Sequence, residues 1–577
     1  MDVQDASTIY CLPDEILVII LQNNSPRDIL NFGATCKQFN ELVKGHKSLW
    51  KHACVTTFPP ILYEVIEEYH NSNWLHEMKY YSTLKHELHS ELIAMSEKHY
   101  WKISERSLDN VDNFFTILKK KNFFYALHIL QDVIKKGNML TDKHECIVPY
   151  TMTEMFYSKA VLRHFVHTFL SVKWAKAKLE QILPPEVVIN FFVQWINPAN
   201  LYLDEEVQKR IDLLADEVNK ILEKEKNASK EKCSDIQIIQ AVTHVIYKQK
   251  RLVLTTTTDV TTLDIAKVLE NKCGSVIAVA AIYQAVATRC GACCELIVFP
   301  NHLYLEWKDL SSPGQQLYNI DLGTGNIYPK RQCPFLWSHN NTPRKYSYSP
   351  DSLLEYLFSS FLITMGAMKT WNTQNAMYLL DFLNAENEHS TLKHSNYKKY
   401  LSHLMENSSA LRQCDKINVK QLSEEHIRFI TSLSDLGENE EVPTRKKVPK
   451  KHAANVKFAV GMICYHKRYE YVCIVRGWDV TGSQLHFPLN DLYFGRSQPF
   501  YYITAADQSE RYVAQENLME LTRPTRLYHL EHQISRDFTH FDGFAYALND
   551  QKKMEYPEDQ PIVEVFRVLC EQKPNNR

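Results

Sequence analysis

Apolar residues at Leu12, Ile16, Ile19 and Ile20 fall on one helical face, and Pro13, Asp14 and Glu15 suit a first turn, so a helix is predicted within Tyr10–Leu21. Ser25-Pro26-Arg27-Asp28 marks a second start, because the Ser hydroxyl can cap free amides, Pro fits the first turn and Asp favours the positive end. That helix is expected to reach about Thr35. A third is expected from Lys37 to Val43, presenting Phe39, Leu42 and Val43, with Leu49-Trp50 closing the unit against it. A module of about 45 residues buries too little surface to be stable alone. Its first helix sharpens this, since Leu12, Ile16, Leu17, Val18, Ile19, Ile20 and Leu21 leave almost no polar face. Such a helix must be covered on more than one side, by a partner or by the domain that follows.

Residues 59–222 read as mostly helical, with aromatic stripes at Phe114, Phe115, Leu118 and at Phe123, Phe124, Leu127 that suit a core. The run from Glu223 to Lys232 alternates charge and breaks the periodicity, which predicts a solvated helix end or a boundary. The segment Leu263–Leu269, the turn Asn271–Ser275 and a buried helix from Val276 to about Thr288 follow. Strands are then predicted at Leu296–Phe299, His302–Trp307 and Leu317–Asp321. This part is α+β. Residues 435–454 carry acidic residues, prolines and the cluster Arg445-Lys446-Lys447, and they suit a linker, with nuclear import as the sharper reading. Alternation at Lys457–Cys464, Tyr471–Val475 and Tyr501–Ile503 predicts a small C-terminal β-barrel.

Composition adds bounds to this picture. The 577 residues, 45% hydrophobic and 23% charged, are long enough for roughly three or four domains. A formal net charge of -2 supplies no global attraction to nucleic acid or anionic membrane. The first residues lack the pattern of a secretory signal, and the apolar run Val276–Ala287 is too short to span a bilayer, so a soluble cytoplasmic or nuclear protein is expected. The 14 cysteines are scattered through helical and strand-like segments, as reduced thiols would be.

Three stretches resemble known families. Leu12-Pro13-Asp14-Glu15-Ile16, Ile20, Pro26–Leu30, Cys36, Phe39 and Leu49-Trp50 resemble an F-box, with Gln22-Asn23-Asn24 departing from its usual helix connection. The resemblance implies a three-helix unit over 8–54 that docks on a Skp-type adaptor through Leu12, Pro13, Ile16, Ile20, Pro26, Leu30, Cys36, Phe39, Leu49 and Trp50. Through that adaptor it would reach a cullin and its RING protein. Val268–Gly274, Ala287–Gly291, Phe299–His302 and Asn319–Asp321 resemble the SirB-type branch of the transglutaminase-like fold, over 233–410. Val460-Gly461, His466, Tyr469, Gly477-Trp478-Asp479, Gln498–Tyr501 and Tyr512–Leu518 resemble the YccV/HspQ family, once described as binding hemimethylated DNA, within a domain and tail at 455–570.

The transglutaminase-like resemblance implies a Cys nucleophile at a helix start, a His base and an Asp that fixes the imidazole tautomer. His302 and Asp321 fall where the last two belong, but the helix start after Gly274 offers Ser275, Val276 or Ile277, and Cys273 precedes it. These are vestigial candidates, and no catalytic residue is assigned. A hydrolase or acyl-transferase using Cys273 or Ser275 is the competing reading, and His302 could equally be a core histidine. Cys290-Gly-Ala-Cys293-Cys294 has the spacing of a redox dithiol or half a zinc site, yet it follows a helix end, where the dipole disfavours a thiolate, and no second Cys-x-x-Cys exists. No metal or cofactor is expected. Between 455 and 526 cations and carboxylates nearly balance, which argues against DNA binding and favours protein recognition, with Trp478, Phe500, Tyr501 and Tyr502 as substrate-binding candidates. The same aromatics could instead fill the barrel. The expected function is the substrate-recognition subunit of an SCF-type (Skp, cullin, F-box) ubiquitin ligase, which works by proximity and needs no chemistry of its own.

Overall fold

The computed structural model describes residues 9–59, 62–63, 66–67, 73–101, 123–139, 151–180, 183–200, 204–229, 234–299, 302–309, 316–332, 349–366, 370–384, 448–482, 492–521 and 523–571. The expected stripe at Phe114, Phe115 and Leu118 and most of the 435–454 linker lie outside them. Packing divides the chain into two compact units, Met1–Val161 with Lys416–Arg577, and Leu162–Asp415.

The N-terminal module consists of α1 (Asp14–Gln22), α2 (Pro26–Ala34), α3 (Lys37–Gly45) and α4 (Lys47–Thr57). Ser25 Oγ accepts from the Asp28 amide at 3.2 Å, and Cys36 Sγ accepts from the Phe39 amide at 3.5 Å, so α2 and α3 begin where their capping residues stand. Leu49-Trp50 belongs to a fourth helix. The indole of Trp50 is 1% exposed and donates to the Val43 carbonyl at 2.7 Å, tying α4 to the end of α3. Next come α5 (Trp74–His99), α6 (Phe123–Met139) and α7 (Thr151–Glu180). Leu84, Leu88 and Leu92 form a fully buried stripe on α5, and Leu127 is buried on α6.

In the second unit, α8 (Pro185–Ile196), α9 (Asp204–Ser229), α10 (Asp235–Thr243) and α11 (Ile265–Asn271) pack with α12 (Val276–Arg289). Helix α9 runs to Ser229, so the charged run from Glu223 is the end of a helix, one of the readings its composition allowed; Glu and Lys are strong helix formers and need no apolar stripe at a helix end. Ala278, Ala280, Ala281, Ala285 and Ala287 of α12 are at most 3% exposed, and their small side chains let neighbouring elements approach closely. Strands β1 (Val253–Thr255) and β2 (Cys273–Ser275) pair in parallel just ahead of α12. A four-stranded antiparallel meander follows: β3 (Cys294–Phe299), β4 (His302–Lys308), β5 (Leu317–Ile320) and β6 (Ile327–Pro329). Helices α13 (Pro350–Met365) and α14 (Trp371–Asn384) complete the described part of this unit.

The C-terminal region is built on β7 (Ile463–His466), β8 (Tyr471–Asp479), β9 (Phe500–Ala505), β10 (Glu510–Ala514) and β11 (Leu518–Glu520), in the order β10-β9-β8-β7-β11. Among the described residues this sheet is open, so the expected closed barrel is replaced by a five-stranded antiparallel sheet. Its apolar side chains are covered instead by β12 (Phe538–Phe541), β13 (Tyr546–Leu548) and the tail helices α15 (Asp550–Glu555) and α16 (Asp559–Glu571). With Ile534, Leu548, Tyr556 and Val563 in the same core, burial needs no strand closure. Residues 457–462, expected as strand, are irregular: Gly461 sits at φ +94°, where an added Cβ would lie 2.2 Å from the Tyr546 carbonyl oxygen.

Candidate functional site

On α1, Leu17, Val18 and Leu21 are buried against the module while Leu12, Ile16, Ile19 and Ile20 stay outside, the last three at 43%, 57% and 47% exposure. Buried and exposed apolar residues thus occupy different faces of one short helix. Ile9, Tyr10 and, on α2, Leu30 are also exposed, and Pro13 lies on the surface. Such a cluster is unusual on a surface that has nothing to bind. Pro26 and Cys36 are half-buried.

Phe39, Leu49 and Trp50 correct the expected adaptor-contact set. At 3%, 0% and 1% exposure they form the core that holds the helices together, and a partner cannot reach them. Phe39 stacks on Phe32 at 4.3 Å and on Tyr10 at 5.1 Å, and the latter contact leaves much of the Tyr10 side chain in solvent. The expected set left out Ile9, Tyr10 and Ile19, which are exposed beside Ile16 and Ile20. The spacing of Ile19 and Ile20 with Ile16 was the signal for Ile19; nothing local marked Ile9 or Tyr10.

At the start of α12 stands Ser275, one of the three residues offered at the expected nucleophile position. Its Oγ accepts from the Ala278 amide at 3.4 Å and the residue is 1% exposed, so the hydroxyl serves as a helix cap beneath the surface. Cys273 sits two residues earlier on β2, paired with Val253 and half-buried. Asp321 follows β5, where its Oδ1 accepts from the Gly323 amide at 2.9 Å and its Oδ2 from Thr324 Oγ1 at 2.7 Å. Both oxygens brace the β5–β6 turn. His302 opens β4 opposite Phe299, and its side chain lies outside the described residues.

Cys290 caps the C-terminal end of α12, and burial pushes its thiol up to about 11; burial likewise pushes Cys294 up to about 12. Both are poor thiolates at neutral pH. Among the described residues no group of three or more His, Cys, Asp or Glu is placed to hold a metal ion.

Three of the four aromatic substrate-binding candidates are core residues. Trp478, Phe500 and Tyr501 are 1%, 2% and 0% exposed. Trp478 Nε1 donates to Asp559 Oδ2 at 2.9 Å, and the Tyr501 hydroxyl bonds Gln515 at 2.5 Å while accepting from the Lys457 amide at 3.0 Å. Packing in the core shared with the tail and satisfied polar handles make Trp478 and Tyr501 structural, and Phe500 is covered by Tyr512, on which it stacks at 5.2 Å. Tyr502 shares a face of β9 with Phe500, both rings packing on Tyr512, and is 37% exposed.

These features define a multidomain chain that carries an F-box-like domain at residues 9–56, a domain of the transglutaminase-like superfamily at 205–356 and one matching the family described as "Hemimethylated DNA-binding protein YccV like" at 456–544. Likeness to whole relatives runs along nearly all of the chain. The chain is similar to F-box only protein 21 of Homo sapiens, 23% identical over 614 residues, covering 97% of this chain and 94% of that protein. The protein of the same name from Pongo abelii is 23% identical over 607 residues, with 97% and 94% covered, and that of Mus musculus 22% over 632, with 96% and 93%. No solved structure matches.

Proposed function

We propose that this chain is the substrate-recognition subunit of an SCF-type ubiquitin ligase, docking through α1 and α2 on a Skp-type adaptor and thereby on a cullin and RING protein. The observation that carries this reading is the outward apolar face of α1 within an F-box-like domain. Burying Ile16, Ile19, Ile20 and Leu30 in a partner would contribute on the order of 1 kcal/mol or more per side chain. The remaining domains would hold a protein substrate near the charged conjugating enzyme, raising its effective concentration.

The chain needs no nucleophile for this role, and a non-catalytic transglutaminase-like domain is supported by Ser275 acting as a buried cap and by both Asp321 oxygens acting within a turn. An adaptor of this kind would work in the cytoplasm or nucleus, where thiols stay reduced. No helix of the described residues is long and apolar enough to cross a membrane.

Co-purification with a Skp-type adaptor and cullin tests the reading. Ile16→Ala/Ile20→Ala/Leu30→Ala should abolish capture while leaving the folded chain intact. Undiminished capture by this variant would overturn the assignment.

A further inference from the structure

Outside the F-box face, the described residues hold a polar cleft of about 490 Å³ on the C-terminal sheet, between β8, β9 and β10 and the tail at Arg536–Asp537 and α15. Its size suits a side chain with flanking backbone. Lys450, Lys552, Glu555 and Tyr556 of its lining lie outside the 456–544 match, so this chain's own linker end and tail complete it.

The floor is shaped by a β-bulge between Val475 and Gly477 opposite β9. A Cβ at Gly477 would come within 2.7 Å of the Tyr556 hydroxyl, so glycine permits this close approach. The Tyr556 ring is flanked by two ammonium groups, Lys552 Nζ at 5.0 Å and Lys450 Nζ at 5.6 Å from its centroid.

Five cations line the cleft: Lys450, Arg476, Arg511, Arg536 and Lys552. Against them stand three carboxylates, Glu510, Asp537 and Glu555, with Asp479 behind Lys450. Each of the three is already engaged. Arg476 holds Asp537 and Glu510, both at 2.7 Å, and Glu555 accepts from the Tyr100 hydroxyl at 2.6 Å.

The donors are engaged only in part. Lys552, 5% exposed, carries three N–H groups but makes one hydrogen bond, to Glu555 at 3.3 Å, and its nearest Asp537 oxygen is 4.0 Å away. Lys450 uses two of its three, on the Trp478 carbonyl and Asp479. Among the described residues Arg476 makes hydrogen bonds through Nε and Nη1 and none through Nη2. One buried and two half-buried cations with unused donors, facing a cavity whose carboxylates are already occupied, form a receptor for an anion.

We propose that this cleft receives an anionic side chain of a bound protein, with a phosphorylated residue the best match because three oxygens can take donors from Lys450, Arg476 and Lys552 together. That the occupant belongs to a ubiquitination substrate rests on the adaptor reading; the anion site itself does not.

The test titrates the full-length chain with phenyl phosphate, inorganic phosphate and phenylacetate by calorimetry, with the thermal transition recorded for every variant. Phenyl phosphate should bind saturably. Lys552→Met should weaken it roughly tenfold or more, the loss of one charge-assisted hydrogen bond, while Lys451→Met should leave it unchanged. Should Lys552→Met lose its folding transition, the partly exposed Lys450→Gln carries the comparison. Phenylacetate binding as well as phenyl phosphate would identify a carboxylate side chain as sufficient, and much weaker phenylacetate binding would identify the phosphorylated one. Absence of saturable binding by any probe, or equal binding by wild type and the folded cleft variants, overturns the proposal. Titration of Ile16→Ala/Ile20→Ala/Leu30→Ala separates the two readings, because loss of adaptor capture predicts no change here.

Discussion

The N-terminal module and the C-terminal sheet handle apolar side chains in opposite ways. The module leaves Ile16, Ile19, Ile20 and Leu30 in solvent, whereas the sheet hides Trp478, Phe500 and Tyr501 completely. The difference is one of covering mass. Four short helices bury one face of α1 and have nothing left for the other, while the tail from Leu527 to Val563 supplies the sheet with a second layer. Large apolar residues therefore form an exposed face, the proposed docking surface, in one region and a core in the other, and residue type alone does not separate the two.

The largest test of that contrast is Trp478→Ala. Removing a fully buried indole should cost about 3–5 kcal/mol, and it strips a partner from the fully buried Asp559. Denaturant unfolding should show the C-terminal region destabilised by that amount; a near-neutral result would mean that this aromatic is not part of the core.

A somewhat smaller effect is expected at Asp537. Arg476, Lys552 and Arg536 hold its carboxyl down to about 2 despite burial. Because the folded value lies below the unfolded one, the stabilisation is present above pH about 4 and is lost as pH falls towards about 2. Linkage puts it at about 2 kcal/mol. Wild type should exceed Asp537→Asn in melting temperature at pH 7, with the gap closing below pH about 4. A gap independent of pH would show that the ion pairs contribute nothing to stability.

Ser275→Ala should cost about 1 kcal/mol, the usual worth of an N-cap, without altering ubiquitination of a bound protein. Loss of ubiquitination at full stability would revive a catalytic role. The smallest stability change is expected for Ile16→Ala/Ile20→Ala/Leu30→Ala, within about 0.5 kcal/mol per site because the side chains are already exposed. Its effect on adaptor capture should nonetheless be complete, and that separation of stability from binding is what distinguishes the two ends of the molecule.

Much of this was legible in the sequence because it is local. Ser25 and Cys36 stand at helix starts, Val276–Ala287 is almost wholly apolar, and the strand runs beyond it are rich in β-branched and aromatic residues. The α1 face was equally legible, since a helix apolar all round cannot be covered by so few neighbours. Periodicity did not reveal which apolar residues face inward. Phe39 and Trp50 are buried and Ile16 is not, and only the packing of four helices made that division.

Contacts far apart in sequence were invisible for a plainer reason. Tyr100 bonds Glu555 and Trp101 bonds Gln551, across 455 and 450 residues, and nothing in either segment encodes its mate. The cleft at Lys552 arises in the same way, from a tail without a motif folding over a bulged strand. By itself the sequence determined the order of domains, their secondary structure and an apolar helix in need of a partner, all consequences of short-range spacing and side-chain type. The tertiary structure decided that the aromatics of the sheet are core and that the hydroxyl at the α12 start is a cap. It also brought partly engaged cations together around one cavity, because burial and charge balance depend on what the rest of the chain places beside each residue.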